Sequence, residues 1–338
     1  MRLRMPWRVG QKILESKEVP RGKGWVETQL KLTDFEPGEE KETELAEAVK
    51  QHLMCGEKLT RFYRLARRDI DRLQNDFVQT EVPPSELKDV FPMVLEDEDL
   101  AEIGSDPTVV QNIQFDDGLA VFFGSVRVVT TREPLEIDQM PEDAASALEG
   151  WDELIGVRHR RLHSIDVLWL PNDDDFVEVR ADYPIGISRN VGEEVHRRVR
   201  NKIAELVGYD VLQTPVNLFP LIDGIYRQRD GKVVELSFGT TTASLKNEKM
   251  RRKRLCLRDE AYHRGGSAAL ELPIQPFNLS VVWQRRLGPN RFSLPELSLR
   301  STSYESGSAN PQLFDAVISK CMGHSDYDYV RGRILSYL

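Results

Sequence analysis

Residues 221–266 constrain this chain most, because they join its clearest turn signal to its densest positive charge. Asp230-Gly231 stands between two apolar, β-prone runs, residues 221–229 and 232–238, which is the pattern of a two-residue hairpin. From Ser244 the chain reads as helix and carries Met250-Arg251-Arg252-Lys253-Arg254. The alternation of Leu255 and Leu257 with Arg254, Cys256 and Arg258 also permits a strand there. Cations spread around one element repel each other unless anions lie close. The expected arrangement is a strand pair delivering a basic helix to a phosphate backbone. Its contact residues are Lys246, Lys249, Arg251, Arg252, Lys253, Arg254 and Arg258. The alternative partner for the same charge is the protein's own acidic N-terminal half.

The net charge of −9 is unevenly distributed: −12 over residues 1–150, −2 over 151–250 and +5 over 251–338. Within residues 240–300, 12 Lys and Arg face 5 Asp and Glu. An acidic front and a basic back suit either an anionic partner or docking between proteins.

The 338 residues allow one large domain or two ordinary ones. An acidic region of strand plus helices is expected over residues 1–104, and an α+β domain with two hairpin–helix units over 105–338. No run of about 18 apolar residues exists, which argues against a membrane span. Cys55, Cys256 and Cys321 are odd in number and widely spaced, with no CxxC. That argues against a disulfide framework or a cysteine zinc site and points to a reducing, cytoplasmic setting. His159 and His163 have i, i+4 spacing, but Arg158, Arg160 and Arg161 around them would repel a metal cation.

Along the chain, residues 25–32 alternate like a strand, with Val26, Thr28, Leu30 and Leu32 on one face. Helices are expected at 42–54, on the stripe Leu45, Val49 and Leu53, and at 58–77. The acidic run Glu96-Asp97-Glu98-Asp99 reads as an exposed connection. Residues 119–131 are β-branched and aromatic, hence a strand, and 141–154 read as a short helix. Strands at 164–170 and 176–180 make a hairpin. A helix follows from Asn190 with Val191, Val195, Val199, Ile203 and Leu206 on its apolar face and Gly208 past its end. Residues 278–286 and 291–300 read as strands, the second demoted to an edge by Pro295. Residues 310–322 and 327–338 read as helices. The fold class is therefore α+β, with an antiparallel, strand-rich C-terminal region flanked by helices and a mixed N-terminal region holding two helices.

A strand Asp followed by Glu-x-Lys on the next strand is the bare pattern by which some nucleases hold Mg²⁺ and place a water. Asp166 with Glu178-Val179-Arg180 comes nearest, but arginine stands where the lysine would be. If Leu170 pairs with Phe176, Asp166 lies opposite Arg180 and shares a face with Glu178. Asp166, Glu178 and Arg180 are then the catalytic candidates. In the second unit a tight Asp230-Gly231 turn sends Asp223 and Glu235 to opposite faces, which argues against a shared metal there, whereas a three-residue loop would restore convergence. No phosphate loop, GxGxxG, HExxH or GxSxG is present. The leading expectation is a non-enzymatic nucleic-acid-binding or adaptor subunit, with DNA or RNA as partner and no cofactor. A Mg²⁺-dependent nuclease and a protein–protein assembly subunit are the alternatives.

Overall fold

The computed structural model describes residues 4–135, 141, 143, 150, 154–184, 187, 189–240, 242, 244–289 and 291–338. In chain order the N-terminal part holds α1 (Trp7–Ser16), α2 (Trp25–Leu32), α3 (Glu39–Cys55), β1 (Lys58–Arg64), α4 (Arg67–Gln79) and α5 (Glu86–Asp89). Then come β2 (Thr108–Phe115), β3 (Gly118–Leu135), β4 (Leu154–Pro171), β5 (Phe176–Asp182), α6 (Arg189–Val207) and α7 (Phe219–Arg227). The C-terminal part holds β6 (Lys232–Gly239), β7 (Leu245–Lys249), α8 (Ala261–Ala268), β8 (Gln275–Val282), β9 (Arg285–Gly288), β10 (Arg291–Ser293) and β11 (Glu296–Arg300). It ends with α9 (Ser303–Ser306), β12 (Ala316–Ser319) and α10 (His324–Leu335). The fold is α+β, a strand-rich C-terminal sheet flanked by helices with a mixed helical N-terminal region.

Ten strands form one sheet in the order β2-β3-β4-β5-β1-β12-β11-β8-β6-β7, each adjacent pair antiparallel. β1 comes early in the chain yet sits in the middle, between β5 and β12. Its apolar residues face two cores. Phe62 packs with α3, α7 and α10 through Leu53, Met54, Ile222, Ile225, Val330 and Ile334. Leu59 and Tyr63 pack on the other face with α4 and α6 through Ile70, Leu73, Phe77, Val195, Val199 and Ile203. α1 packs on the molecule through Met5, Val9 and Ile13, with Trp25 and Ala48 against them.

Several expected elements take another form. Residues 25–32 are the helix α2, and two of the four side chains that suggested a strand face are in solvent: Val26 and Leu30 are 56% and 70% exposed. Glu27 and Thr28 accept hydrogen bonds from the Lys23 and Gly22 amides and fasten the loop before it. Residues 58–77 split into β1 and α4 rather than one helix. The hairpin expected around Asp230-Gly231 is instead α7 followed by β6, so the two hairpin–helix units are not alike. Pro220 lies in the first turn of α7, and Leu221, Ile222 and Ile225 are buried. Gly231 has φ +62°, and a Cβ there would stand 2.6 Å from Val281 and 2.8 Å from Trp283, so glycine is required at the link. Asp230 pins that link by accepting from Trp283 Nε1 at 3.0 Å and Arg333 Nε at 2.7 Å.

β11 is no edge strand: Pro295 precedes it, and it pairs with both β8 and β12. Within residues 310–322 the regular element is β12, not a helix. Gly323 stands at the N-terminal cap of α10. The helix expected over 141–154 falls almost wholly outside the described residues.

Candidate nucleic-acid interface

The carboxylate candidates separate. The β4–β5 ladder pairs Val167 with Arg180, Leu168 with Val179 and Trp169 with Glu178. This register is one residue away from the expected pairing of Asp166 with Arg180. One step of slip reverses every side chain. Glu178 and Arg180 therefore share a face with Val167 and Trp169, and Asp166 points to the opposite face. Asp166 accepts the Asp182 amide at 2.8 Å and pairs with Arg127. Asp166 and Glu178 cannot chelate one metal ion.

Glu178 is instead the centre of a buried network. Its Oε2 accepts from Arg180 Nε at 3.0 Å and from Tyr327 Oη at 2.9 Å, and its Oε1 accepts from Arg331 Nε. Tyr327 Oη also meets Thr60 Oγ1 at 2.7 Å, and Arg331 grips Asp174 with two bonds of 2.6 and 2.9 Å. The Arg180 guanidinium lies over the Tyr327 ring, 4.1 Å from its centroid. Burial alone would raise Glu178's pKa, but Arg180 and Arg331 outweigh it and hold the carboxyl below its ordinary value. A carboxylate so enclosed supports the sheet centre and has no open coordination position.

The basic stretch is not a helix. Lys246 and Lys249 lie on β7, the outer strand of the sheet, and residues 251–254 form a turn beyond it. The seven expected contact residues divide into two sets. Arg258 is buried and donates to the carbonyls of Ile225 (3.2 Å), Tyr226 (3.0 Å), Asp230 (3.3 Å) and Gly231, so it ties off the C-terminal end of α7. Lys253 is bound to Glu296, which also holds Lys320, and Lys249 pairs with Glu235 at 3.1 Å. Lys246, Arg251, Arg252 and Arg254 are exposed, and among the described residues none has a carboxylate partner within 4.0 Å.

The acidic N-terminal half does not cover these cations. It adds to them. α1 brings Arg8 and Lys12, one helical turn apart, to the same surface. Burial lowers the pKa of Lys12, Asp326 opposes the shift, and the charges of Arg254 and Arg8 add to it. Lys12 Nζ reaches the Phe292 carbonyl, next to the exposed Arg291. Sequence reasoning missed Arg8 and Lys12. The signal available was their i, i+4 spacing in a basic N-terminus, but nothing local indicated that residue 12 meets residue 254.

A groove of about 390 Å³ opens beside this surface, lined by Arg229, Lys232, Arg254, Met250, Leu255 and Cys256 among others. A second, of about 430 Å³, lies near Arg127, Asp166 and the first turn of α6. The other basic run, residues 158–161, is on β4, and there one charge is paired: Asp97 of the acidic run accepts the Arg161 amide at 2.8 Å and faces its guanidinium at 3.7 Å.

Two further constellations have a catalytic order of parts. Cys55 Sγ lies 3.8 Å from His324 Nδ1, whose Nε2 lies 2.6 Å from Asp117 Oδ2. Cys55 is wholly buried, and burial pushes its thiol up to about 12, so it stays protonated and out of a substrate's reach. Glu248 Oε2, His263 Nδ1 and Nε2, and Tyr226 Oη form a second chain at 2.5 and 2.9 Å. Burial raises the Tyr226 hydroxyl's pKa, the wrong direction for a nucleophile. Among the described residues, no group of three or more His, Cys, Asp or Glu could hold a metal ion, and no helix is long and apolar enough to cross a membrane.

No family model, curated protein or solved structure matches this chain.

Proposed function

We propose that the protein is a nucleic-acid-binding or adaptor subunit that holds a phosphate backbone without performing chemistry on it. The observation that carries this reading is the set Lys246, Arg251, Arg252 and Arg254, exposed and, among the described residues, without carboxylate partners, which α1 reinforces with Arg8 and Lys12. Like charges gathered on one surface raise the free energy of the unbound protein, and phosphates relieve that cost while releasing counterions. The exposed turn and outer strand can follow a strand of nucleic acid, with Leu255 and Tyr262 (55% and 73% exposed) available to lie against bases. The test is the 260/280 nm absorbance ratio of the purified protein before and after a high-salt wash, followed by gel shifts with single- and double-stranded DNA and RNA. A ratio that falls on washing, with retarded probes restored by the washed protein, supports the proposal; probes that run free at low salt overturn it.

One feature favours a protein–protein assembly role instead. The outer part of the β3–β4 pair, residues 125–135 with 154–164, is a two-stranded ribbon. Val128, Ile155 and Val157 share one of its faces and are 56–60% exposed. A lone pair of strands is marginal in water, so a protein covering these residues would stabilise it. Light scattering of the purified protein at rising concentration tests self-association through the ribbon: a mass that Val128→Ser/Val157→Ser lowers favours it, and a concentration-independent monomer mass removes it.

A further inference from the structure

Ahead of α1 the chain places a charged side chain in the interior. Arg4 is 4% exposed and joins Asp182 through Nη1 at 2.8 Å. Lys58, fully buried, donates to Asp182 at 3.3 Å and to the Ile165 carbonyl at 2.8 Å. Arg127 donates to the Asp182 carbonyl at 2.7 Å and pairs with Asp166. Arg4, Lys58 and Arg127 thus gather around Asp182 and Asp166, and burial lowers the pKa of Lys58 against the opposing pull of both carboxylates.

Two histidines adjoin this cluster and add no charge. Burial first, then the nearby cations Lys58 and Arg4, lower His52 to about 4; burial and Arg4 lower His163 to about 4. His163 Nδ1 accepts the Leu95 amide at 3.3 Å, so its proton sits on Nε2. Among the described residues that Nε2–H has no partner, and neither do Nε and Nη2 of Arg4, although all three are buried. Buried donors are nearly always satisfied, because a donor taken out of water without a partner costs free energy.

We propose that Arg4 and His163 form a buried binding site for a small anion of the size of chloride, which accepts the three free N–H groups. The ligand is a small inorganic anion rather than a substrate, because neither groove described above is lined by Arg4 or His163. Arg4 lies three residues before α1, so a bound anion also fastens the segment that presents Arg8 and Lys12. The site stands on its own donors and does not depend on the nucleic-acid reading.

The experiment is thermal unfolding of the full chain between about 1 and about 100 mM chloride, roughly a hundredfold and worth about 2.7 kcal/mol for a site near saturation, with gluconate holding the ionic strength constant. Chloride line width in ³⁵Cl NMR is read in parallel. The expected result is a rise in Tm of about 2–4 °C with chloride and a broadened line. Both responses disappear in Arg4→Met and persist in His163→Gln, which keeps a donor. If Arg4→Met does not fold, the wild-type pair of measurements decides. A Tm that ignores chloride with an unbroadened line, or an equal response in Arg4→Met, overturns the site and leaves water as the partner of these donors.

Discussion

Trp169 lies directly opposite Glu178 in the β4–β5 ladder, and that pairing turns Asp166 away from Glu178. The two residues that looked most like a metal pair serve different cores. Glu178 binds Arg180, Tyr327 and Arg331 at the centre of the sheet, whereas Asp166 binds Arg127 and the Asp182 amide.

Glu178 is therefore a stability residue. Glu178→Gln leaves Arg180 without its carboxylate in the interior, which should lower unfolding free energy by about 3 kcal/mol. Denaturant unfolding measures this. Nucleic-acid binding by the variant, assayed where it remains folded, should equal that of the wild type. A stable variant with impaired binding would return Glu178 to the functional site.

Arg258 should behave unlike its neighbours. Its guanidinium binds four backbone carbonyls at the end of α7 and the following turn. Arg258→Ala should cost about 2–3 kcal/mol in stability with no change in the salt dependence of binding. Arg251→Ala and Arg252→Ala, both at exposed turn positions, should shift stability by no more than about 0.5 kcal/mol. Parallel urea titrations separate the two classes.

Acidification should destabilise the fold through three buried histidines. Burial is the first cause in each case, and it lowers His52 and His163 to about 4 and His196 to about 3. A histidine whose folded pKa is depressed contributes full stability above its unfolded pKa, near 6.5, and loses it as pH falls towards the folded value. Each accounts for roughly 3 kcal/mol by pH 4. Glu57 acts oppositely: burial raises it to about 7, so its contribution is present below its ordinary pKa and lost as pH rises through 7. The urea midpoint should fall between pH 6.5 and 4, and more steeply in Glu57→Gln. A midpoint that is flat or rises over that window contradicts the burial of neutral histidines.

Elements with one buried face were legible in the sequence. The stripe Leu45, Val49 and Leu53 marks α3, and Val195, Val199 and Ile203 mark α6, because each helix packs on one side only. β3 announces itself by its β-branched and aromatic residues. β1 was hidden because helices cover both its faces. Lys58, Thr60 and Phe62 are buried on one side and Leu59 and Tyr63 on the other, so no alternation survives, and Leu59, Phe62 and Leu65 imitate helical spacing. In α7 the local strength of Asp230-Gly231 outweighed the quieter signal of Pro220 ahead of Leu221, Ile222 and Ile225. The candidate surface was half legible. Residues 246–254 are contiguous and visibly basic, but which of them are neutralised depends on Glu235 and Glu296, and which are reinforced depends on α1. Those are tertiary facts that no local pattern carries.

The slope of log Kobs against log salt for a single-stranded oligonucleotide measures how many phosphates the surface neutralises, at about 0.7 per contact on single strands. The wild type should show a steep slope. Arg251→Ala/Arg252→Ala/Arg254→Ala, which leaves the ion-paired Lys253 in place, should lower it by about 2, the loss of three contacts. An unchanged slope in that variant, or wild-type binding that does not respond to salt, would contradict the assignment of this surface.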